Sequence, residues 1–279
     1  VVREEEGGWC LGDWCFPASE EKEQLPEAFI NTFYYLHGLQ EMMQISEKMN
    51  NKLPVRFAER EKNVKNAFLD AYFDPETGDF CEGRAAGNAY GLALGLGDER
   101  TKKHLVEKYE ALERFDTGIF GTSMLLEQLF SIGAGDLAVR LLTNDSEAAS
   151  FAHMKRNGAT TLWERWEKAT GSGMNSHNHP MLGSVGGWFY KYLAGIRPLP
   201  DSDGFDRFGL APCFVEGLNE VEAQYDSFAG TIRSRWKREG DRIVWEFSVP
   251  PNSCAAVRQS DGTVRHYGAG EHTLVISRA

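Results

Sequence analysis

The change from helical to strand periodicity near residue 197 constrains the fold of this chain more than any other feature. From Gln24 to about Ile196, apolar residues recur at intervals of three and four, which is the spacing along one face of an α-helix. After Arg197, apolar and polar residues alternate as in half-buried strands. The segment between them, residues 198–204, is rich in Pro, Asp, Ser and Gly. The sequence therefore predicts a helical domain at residues 1–198 and a small β domain at 199–279.

The helical region consists of amphipathic segments joined by short connections that contain Gly or Asp. Such short connections predict antiparallel neighbours, but periodicity alone allows a bundle, a solenoid or an α/α toroid. The lack of a fixed-period repeat in the sequence disfavours the solenoid. The predicted helices span residues 26–49, 54–72, 85–95, 99–112, 121–133, 135–142 and 182–194.

The carboxyl-terminal region predicts antiparallel strands separated by tight turns. Two turns are indicated by Glu239-Gly240-Asp241 and Asp261-Gly262. The region is poor in clustered titratable groups, so we expect it to be a packing module rather than a reaction site. The predicted strands span residues 221–225, 230–237, 243–249 and 274–276.

The net charge limits the partners of the chain. Its 30 Lys and Arg against 41 Asp and Glu give a formal charge of −11, which repels nucleic-acid backbones and anionic membranes. No run approaches eighteen apolar residues, so no membrane span is predicted. A neutral, hydroxyl-rich ligand fits this charge better.

The cysteines and the amino terminus add less. The five Cys include no Cys-x-x-Cys pair, which favours free thiols over a zinc ribbon or a disulfide framework. The sequence begins Val1-Val2-Arg3, neither a signal peptide nor an initiator Met, and we expect a mature product or an excised fragment.

One short stretch carries the strongest chemical signal. Glu164 stands between Trp163 and Trp166, and residues 174–179, Met-Asn-Ser-His-Asn-His, follow soon after. A carboxylate among indoles is typical of glycosidases, because burial is expected to raise its pKa and an indole stacks on a sugar ring.

Several blocks together resemble the closing half of the bacterial α-L-rhamnosidases of glycoside hydrolase family 78. They are Gly-Ala-Thr-Thr-Leu-Trp-Glu-Arg-Trp at 158–166, Asn-Ser-His-Asn-His at 175–179, Gly-Ser-Val-Gly-Gly-Trp at 183–188 and Ala-Gly-Ile at 194–196. Asp-Thr-Gly-Ile-Phe-Gly-Thr at 116–122 and Gly-Asp-Trp at 12–14 also match, and the order of the blocks agrees over nearly the whole chain.

The resemblance implies a mainly α, multidomain protein, in which part of an (α/α)6 toroid is followed by a small antiparallel β-sandwich. It also implies inverting hydrolysis of terminal α-L-rhamnosyl residues, a reaction that uses one acid and one base carboxyl group and no cofactor or metal. Glu164 matches the family's general base. The family's general acid lies in an acidic, Arg-containing block that has no counterpart here, so the chain is expected to be the carboxyl-terminal part of such an enzyme.

The other candidate site residues surround the base. The resemblance implies that His179 contacts the rhamnose, and Asn178 beside it can bind a sugar hydroxyl. Trp163 and Trp14 are candidates for stacking or for core packing. Asp13 is a candidate for positioning substrate or for capping a helix.

Alternatives remain open at this point. The chain is also compatible with another (α/α)6 glycosidase, with a polysaccharide lyase, or with a piece that binds carbohydrate without cleaving it. His177, His179 and a Glu could be metal ligands, although no third ligand block supports this. Half a toroid would leave apolar stripes in water, so self-association or packing against the missing amino-terminal portion is expected.

Overall fold

A computed structural model describes residues 10–50, 54–145, 149–168, 170, 176–202, 204–259 and 262–277. Met174 and Asn175 of the quoted motif lie outside the described residues. The chain forms two compact units, Val1–Gly183 and Ser184–Ala279. The boundary predicted at 198/199 lies inside the second unit, whose first strand contains Ile196–Pro198.

The first unit is helical and packs its helices largely as sequence neighbours. Helix α1 packs against α2, α3 against α4 and α5, and α6 against α5 and α7. The helices are α1 (Glu27–Lys48), α2 (Val55–Tyr72), α3 (Gly87–Ala93), α4 (Glu99–Leu112), α5 (Ile119–Ser131), α6 (Gly135–Thr143) and α7 (Phe151–Arg156).

Local sequence signals account for several helix limits. Pro26 and Pro54 directly precede α1 and α2, since a Pro there sacrifices no helical hydrogen bond. Asp98 caps α4 by accepting hydrogen bonds from the backbone N–H groups of Arg100 and Thr101, and the Thr101 hydroxyl accepts one from the Asp98 N–H. The prediction of α4 at residues 99–112 is confirmed to the residue.

An aromatic cluster forms the core where α1, α2 and α3 meet. Phe29 of α1 has no exposed surface. Its ring centroid lies 4.9 Å from that of Phe68, 5.1 Å from that of Tyr72 and 5.7 Å from that of Tyr90. Apolar residues recur in α1 at intervals of three and four, which places Phe29, Phe33 and Leu36 on one face of the helix. This face packs into the aromatic cluster.

The second unit begins with a short helical segment and continues as strands. Helix α8 (Val185–Trp188) is followed directly by a π-helical turn, Phe189–Leu193. Strand numbering begins in the first unit, where β1 (Phe73–Asp74) and β2 (Asp79–Phe80) form a separate antiparallel hairpin. The strands of the second unit are β3 (Ile196–Pro198), β4 (Arg207–Leu210), β5 (Glu220–Ser227), β6 (Gly230–Glu239), β7 (Arg242–Val249), β8 (Cys254–Arg258), β9 (Val264–Tyr267) and β10 (Gly270–Ser277).

These strands form two four-stranded sheets with a shared core. One sheet has the order β10-β7-β6-β5 and is antiparallel throughout, with Trp236 of β6 opposite Trp245 of β7. The other has the order β3-β4-β8-β9. Buried side chains of both sheets, among them Phe208, Trp236 and Val257, belong to one hydrophobic cluster, as expected of a β-sandwich.

The fold class is confirmed. The four predicted strands correspond to β5, β6, β7 and β10, which form one sheet, whereas the strands of the other sheet and the β1–β2 hairpin were not predicted. Further differences are local. Strands β4 and β8 pair in parallel, so the sandwich is not purely antiparallel. The helix predicted at 182–194 is broken into a 3-10 turn, α8 and the π-helical turn, because Gly183, Gly186 and Gly187 weaken a helix in this stretch. Helix α7 was not predicted, since six residues carry too little periodicity. No helix within the described ranges is long and apolar enough to cross a membrane.

Truncation of the core aromatic tests the packing of α1. Phe29→Ala should lower the free energy of unfolding by about 3–5 kcal/mol, because it leaves a cavity among three rings. Ile45→Ala on the same helix is the control, since Ile45 is 55% exposed and its truncation should change stability by less than about 0.5 kcal/mol. Chemical denaturation followed by circular dichroism measures both; equal losses would contradict the assignment of the core to the Phe29 face.

Candidate active site

The amino end of α5 organises the candidate site. The backbone N–H groups of Gly118, Phe120 and Gly121 donate hydrogen bonds of 2.8, 3.1 and 2.8 Å to the Asp13 carboxylate. The Ile119 N–H donates to the Trp14 carbonyl at 2.9 Å. The segment that contains Asp13 and Trp14 is therefore fixed to the first turn of α5, where unpaired N–H groups favour an anion.

Two glycines make this close approach possible. A Cβ atom on Gly118 would lie 2.2 Å from the Trp14 carbonyl oxygen, and one on Gly121 would lie 2.2 Å from the Asp13 Oδ2. Both distances are below any real contact of a Cβ atom. Positions 118 and 121 consequently require glycine for a steric reason.

The Asp13 carboxylate is buried and engaged by the backbone of α5. Only 4% of its surface is exposed, and burial raises its pKa to about 6, against the three backbone hydrogen bonds that lower it. The nearby Asp116 carboxylate raises the pKa of Asp13 further. Of the two roles considered for Asp13, the structure supports the helix cap.

Asp116 lies shortly before the first turn of α5 in sequence, but its carboxylate bonds side chains of α4. Its carboxylate accepts a 2.6 Å hydrogen bond from the Tyr109 hydroxyl and pairs with the Lys108 ammonium at 2.9 Å. The first turn of α5 thus takes its carboxylate from Asp13, more than a hundred residues away in the sequence.

Glu164 lies where residues 162–164 form backbone hydrogen bonds with residues 176–179. Its backbone N–H donates to the Ser176 carbonyl, and the His179 N–H donates to the Leu162 carbonyl, both at 2.9 Å. The side chain adds a third link, because Oε2 accepts a 2.9 Å hydrogen bond from the Ser176 N–H. The carboxylate is therefore held from one side by backbone.

Trp14 holds the Glu164 carboxylate from another side. Its indole Nε1 donates to Oε1 of Glu164 at 3.4 Å, across 150 positions of sequence. The sequence motif places Trp163 and Trp166 beside Glu164, but the indole that donates to its carboxylate is that of Trp14. Trp14 is partly exposed.

The two neighbouring indoles are both buried. Trp166 donates from Nε1 to the Thr117 carbonyl at 2.8 Å and stacks on Phe115 with ring centroids 5.1 Å apart. Trp163 is 3% exposed, and the His177 ring stacks on it at 4.6 Å. Trp163 was predicted either to stack on a sugar or to pack in the core, and its burial favours core packing.

The pKa of Glu164 is lowered, so the predicted rise is wrong. The hydrogen bond from the Ser176 N–H is the largest cause, and the one from Trp14 adds to it. Desolvation opposes these hydrogen bonds and is the second-largest influence on this pKa, whereas electrostatic interactions with His179 and Arg165 lower it further. Glu164 is thereby kept ionised at neutral pH.

His179 and Asn178 lie on the segment that pairs with Glu164. The Nδ1 atom of His179 is buried and has no hydrogen-bond partner among the described residues. An unpartnered buried ring nitrogen is costly unless a ligand or water binds it. Asn178 is exposed, and its backbone N–H is held by the Ser176 hydroxyl at 3.1 Å.

Sequence reasoning missed the groups that join these residues. The Ser176 N–H and the N–H groups at the amino end of α5 belong to the backbone, so the residue types at these positions do not reveal them. Gly118 and Gly121 lie inside a quoted block, and their spacing was the only available signal of a close approach. Within the part of the chain that the structure describes, no group of three His, Cys, Asp or Glu side chains is placed to bind a metal ion.

Two family models together match nearly the whole chain. The family model of the bacterial alpha-L-rhamnosidase 6 hairpin glycosidase domain matches residues 2–193, and that of the bacterial alpha-L-rhamnosidase C-terminal domain matches residues 195–271. A curated alpha-L-rhamnosidase of Formosa agariphila is 31% identical over 88% of this chain, and one of Streptomyces avermitilis is 28% identical over 88%. The chain spans 28% and 24% of the lengths of these two relatives.

Solved structures show the same similarity. The Streptomyces avermitilis alpha-L-rhamnosidase complexed with L-rhamnose superposes with a TM-score of 0.84 and 26% identity, covering 95% of this chain and 28% of that one. The alpha-L-rhamnosidase from Dictyoglumus thermophilum also has a TM-score of 0.84 and 26% identity, covering 97% of this chain and 34% of that one.

The Trp14 hydrogen bond can be tested through the titration of Glu164. Trp14→Phe keeps an aromatic ring but removes the N–H donor, so the pKa of Glu164 should rise toward its ordinary value. Trp245→Phe removes an indole donor that bonds the Ser234 hydroxyl in the second unit instead, and it should leave this pKa unchanged. Carbon-13 NMR of labelled Glu carboxyl groups measures the titration; an unchanged pKa in Trp14→Phe would contradict the contact.

The burial of Asp13 predicts an unusual pH dependence of stability. Its pKa is higher in the folded protein, about 6, than the ordinary value of 3.8, so folding favours the protonated form. The contribution of Asp13 to stability is therefore greatest below about pH 4 and falls by roughly 3 kcal/mol as the pH rises to about 6.

Asp13→Asn lacks this titration and provides the reference. The difference in unfolding free energy between wild type and Asp13→Asn, measured by urea denaturation from pH 4 to 7, should move against the wild type as pH rises. A difference that is constant over this range would show that Asp13 titrates normally.

Proposed function

The chain belongs to the bacterial α-L-rhamnosidases, and from this premise we propose that Glu164 is the general base in inverting hydrolysis of terminal α-L-rhamnosyl residues. The observation that carries the proposal is the geometry at Glu164. Both carboxylate oxygens accept a hydrogen bond, one from the Trp14 indole and one from the Ser176 backbone. A carboxylate oriented in this way presents fixed lone pairs to a water molecule.

The electrostatics fit the role of a base. In an inverting mechanism the base must be ionised before it takes a proton from water, while a second carboxyl group protonates the leaving oxygen. The lowered pKa of Glu164 favours its ionised form, which is the form that a base requires. A carboxylate with a raised pKa would suit the acid instead.

The sugar pocket is proposed to lie beside this carboxylate. Trp14 is the stacking candidate because its indole is partly exposed and reaches Glu164. The unpartnered Nδ1 of His179 is suited to a rhamnose hydroxyl, and the exposed Asn178 adjoins it. Trp163 and Asp13 are left out of the pocket, since both are buried and engaged within the protein.

The general acid is proposed to lie in sequence outside these 279 residues. The chain spans only 28% of the length of the Formosa agariphila relative, which supports this proposal. Exposed apolar side chains of α1, including Met42 and Ile45, and Met49 directly after it, are available for packing against further protein. Self-association or packing against another portion stays a prediction.

The base assignment is tested in the full-length protein that carries this chain. Glu164→Gln should lower kcat by roughly 10²- to 10⁴-fold on p-nitrophenyl α-L-rhamnoside, with KM little changed, because the base acts in the transition state. Glu167→Gln is the matched control. Its Oε1 accepts a hydrogen bond from the Ala18 N–H, and neither Trp14 nor the Ser176 backbone donates to it.

Two results would overturn the assignment. Near-normal turnover by Glu164→Gln would remove Glu164 from the reaction, and an equal loss in Glu167→Gln would indicate a structural effect of the substitutions. Inversion at the anomeric carbon, followed by proton NMR of the released sugar, checks the stereochemical outcome independently.

A further inference from the structure

Asp13 and the base are joined through a short, continuous path. Asp13 is bonded to three N–H groups of the first turn of α5, and the next residue, Trp14, donates to Oε1 of Glu164. The Ile119 N–H fixes the Trp14 carbonyl to the same turn. We infer that Asp13 is a positioning residue, which sets the Trp14 indole against the base by fixing its backbone to α5.

The second anchor of the site uses the same turn. The Thr117 carbonyl accepts from the Trp166 indole, and Trp166 lies two residues beyond Glu164. The residues immediately before and within the first turn of α5 thus hold the chain on both sides of the contact between Trp14 and Glu164. A shift of the Asp13 segment relative to this turn moves the donor while the acceptor stays fixed.

Steric complementarity separates this arrangement from an ordinary helix cap. A cap needs one or two hydrogen bonds and tolerates most residues in the first turn. Here Gly121 adjoins the carboxylate so closely that a methyl group would overlap Oδ2 of Asp13. The close fit fixes the position of the segment as well as satisfying the N–H groups.

The titratable side chains near Asp13 do not hold its carboxylate in place. Asp116, Tyr34, Tyr90 and Tyr109 interact with it electrostatically, and Asp116 is itself paired with Lys108. Asp116 and the three tyrosines carry no positive charge that could hold the Asp13 carboxylate. Its fixed position therefore comes from the backbone N–H groups of α5.

The test reads the position of Trp14 through the pKa of Glu164. Asp13→Asn should raise this pKa by most of the shift that Trp14→Phe produces, because it loosens the donor without removing it. Gly121→Ala should have the same effect through displacement of the carboxylate. Gly38→Ala on α1 is the matched control, since a Cβ there meets nothing within 4 Å and the pKa of Glu164 should not move.

The catalytic consequence rests on the proposed function of Glu164. In the full-length protein, Asp13→Asn and Gly121→Ala should lower kcat by between about tenfold and a hundredfold with smaller changes in KM, while Gly38→Ala keeps wild-type kinetics. A merely structural role would reduce stability and leave the pKa of Glu164 in the folded protein unchanged.

The outcomes separate the two proposals. An unchanged Glu164 pKa in folded Asp13→Asn, or in Gly121→Ala should the first variant fail to fold, overturns the positioning role whatever the activity of Glu164→Gln. A shifted pKa together with full activity of Glu164→Gln supports the positioning role and overturns the function proposed for Glu164.

Discussion

The amino end of α5 is the constraint on which the candidate site depends. Three groups of the site bond to this end of the helix or to Thr117 just before it. They are the Asp13 carboxylate, the Trp14 carbonyl and the Trp166 indole. Helix ends leave N–H groups unpaired, and a buried end must find acceptors elsewhere in the chain. By supplying them from residues 13 and 14, the fold brings two segments about 150 residues apart into hydrogen-bond contact.

The two carboxylates illustrate how environment decides the pKa of a residue type. Asp13 accepts three backbone hydrogen bonds, yet its pKa is raised, because its burial outweighs them. Glu164 accepts one backbone and one indole hydrogen bond, and its pKa is lowered because these bonds, together with the nearby His179 and Arg165, outweigh its desolvation. Hydrogen-bond number alone would have ranked these two groups in the wrong order.

The sequence predicted the longer helices and the strands of one sheet, but it missed the strands of the other sheet and most contacts of the site. Helix α4 was predicted at its observed limits because Asp98 and Thr101 are local capping signals. The π-helical turn after α8 could not be predicted, since it depends on packing rather than on periodicity. Glu164 was identified as a candidate from its motif, but its Trp14 partner is remote in sequence, and two nearer indoles suggested a buried carboxylate that the structure does not contain.

One residue joins ligand binding to the orientation of the base in the proposed site. The Trp14 indole donates its N–H to Glu164, so the plane of its ring is set by the same contact that orients the carboxylate. A sugar stacked on this ring would therefore lie at a height above the carboxylate that the hydrogen bond determines. Because the backbone of Trp14 is fixed to α5, the proposed stacking surface and the proposed base are both connected to this helix by hydrogen bonds.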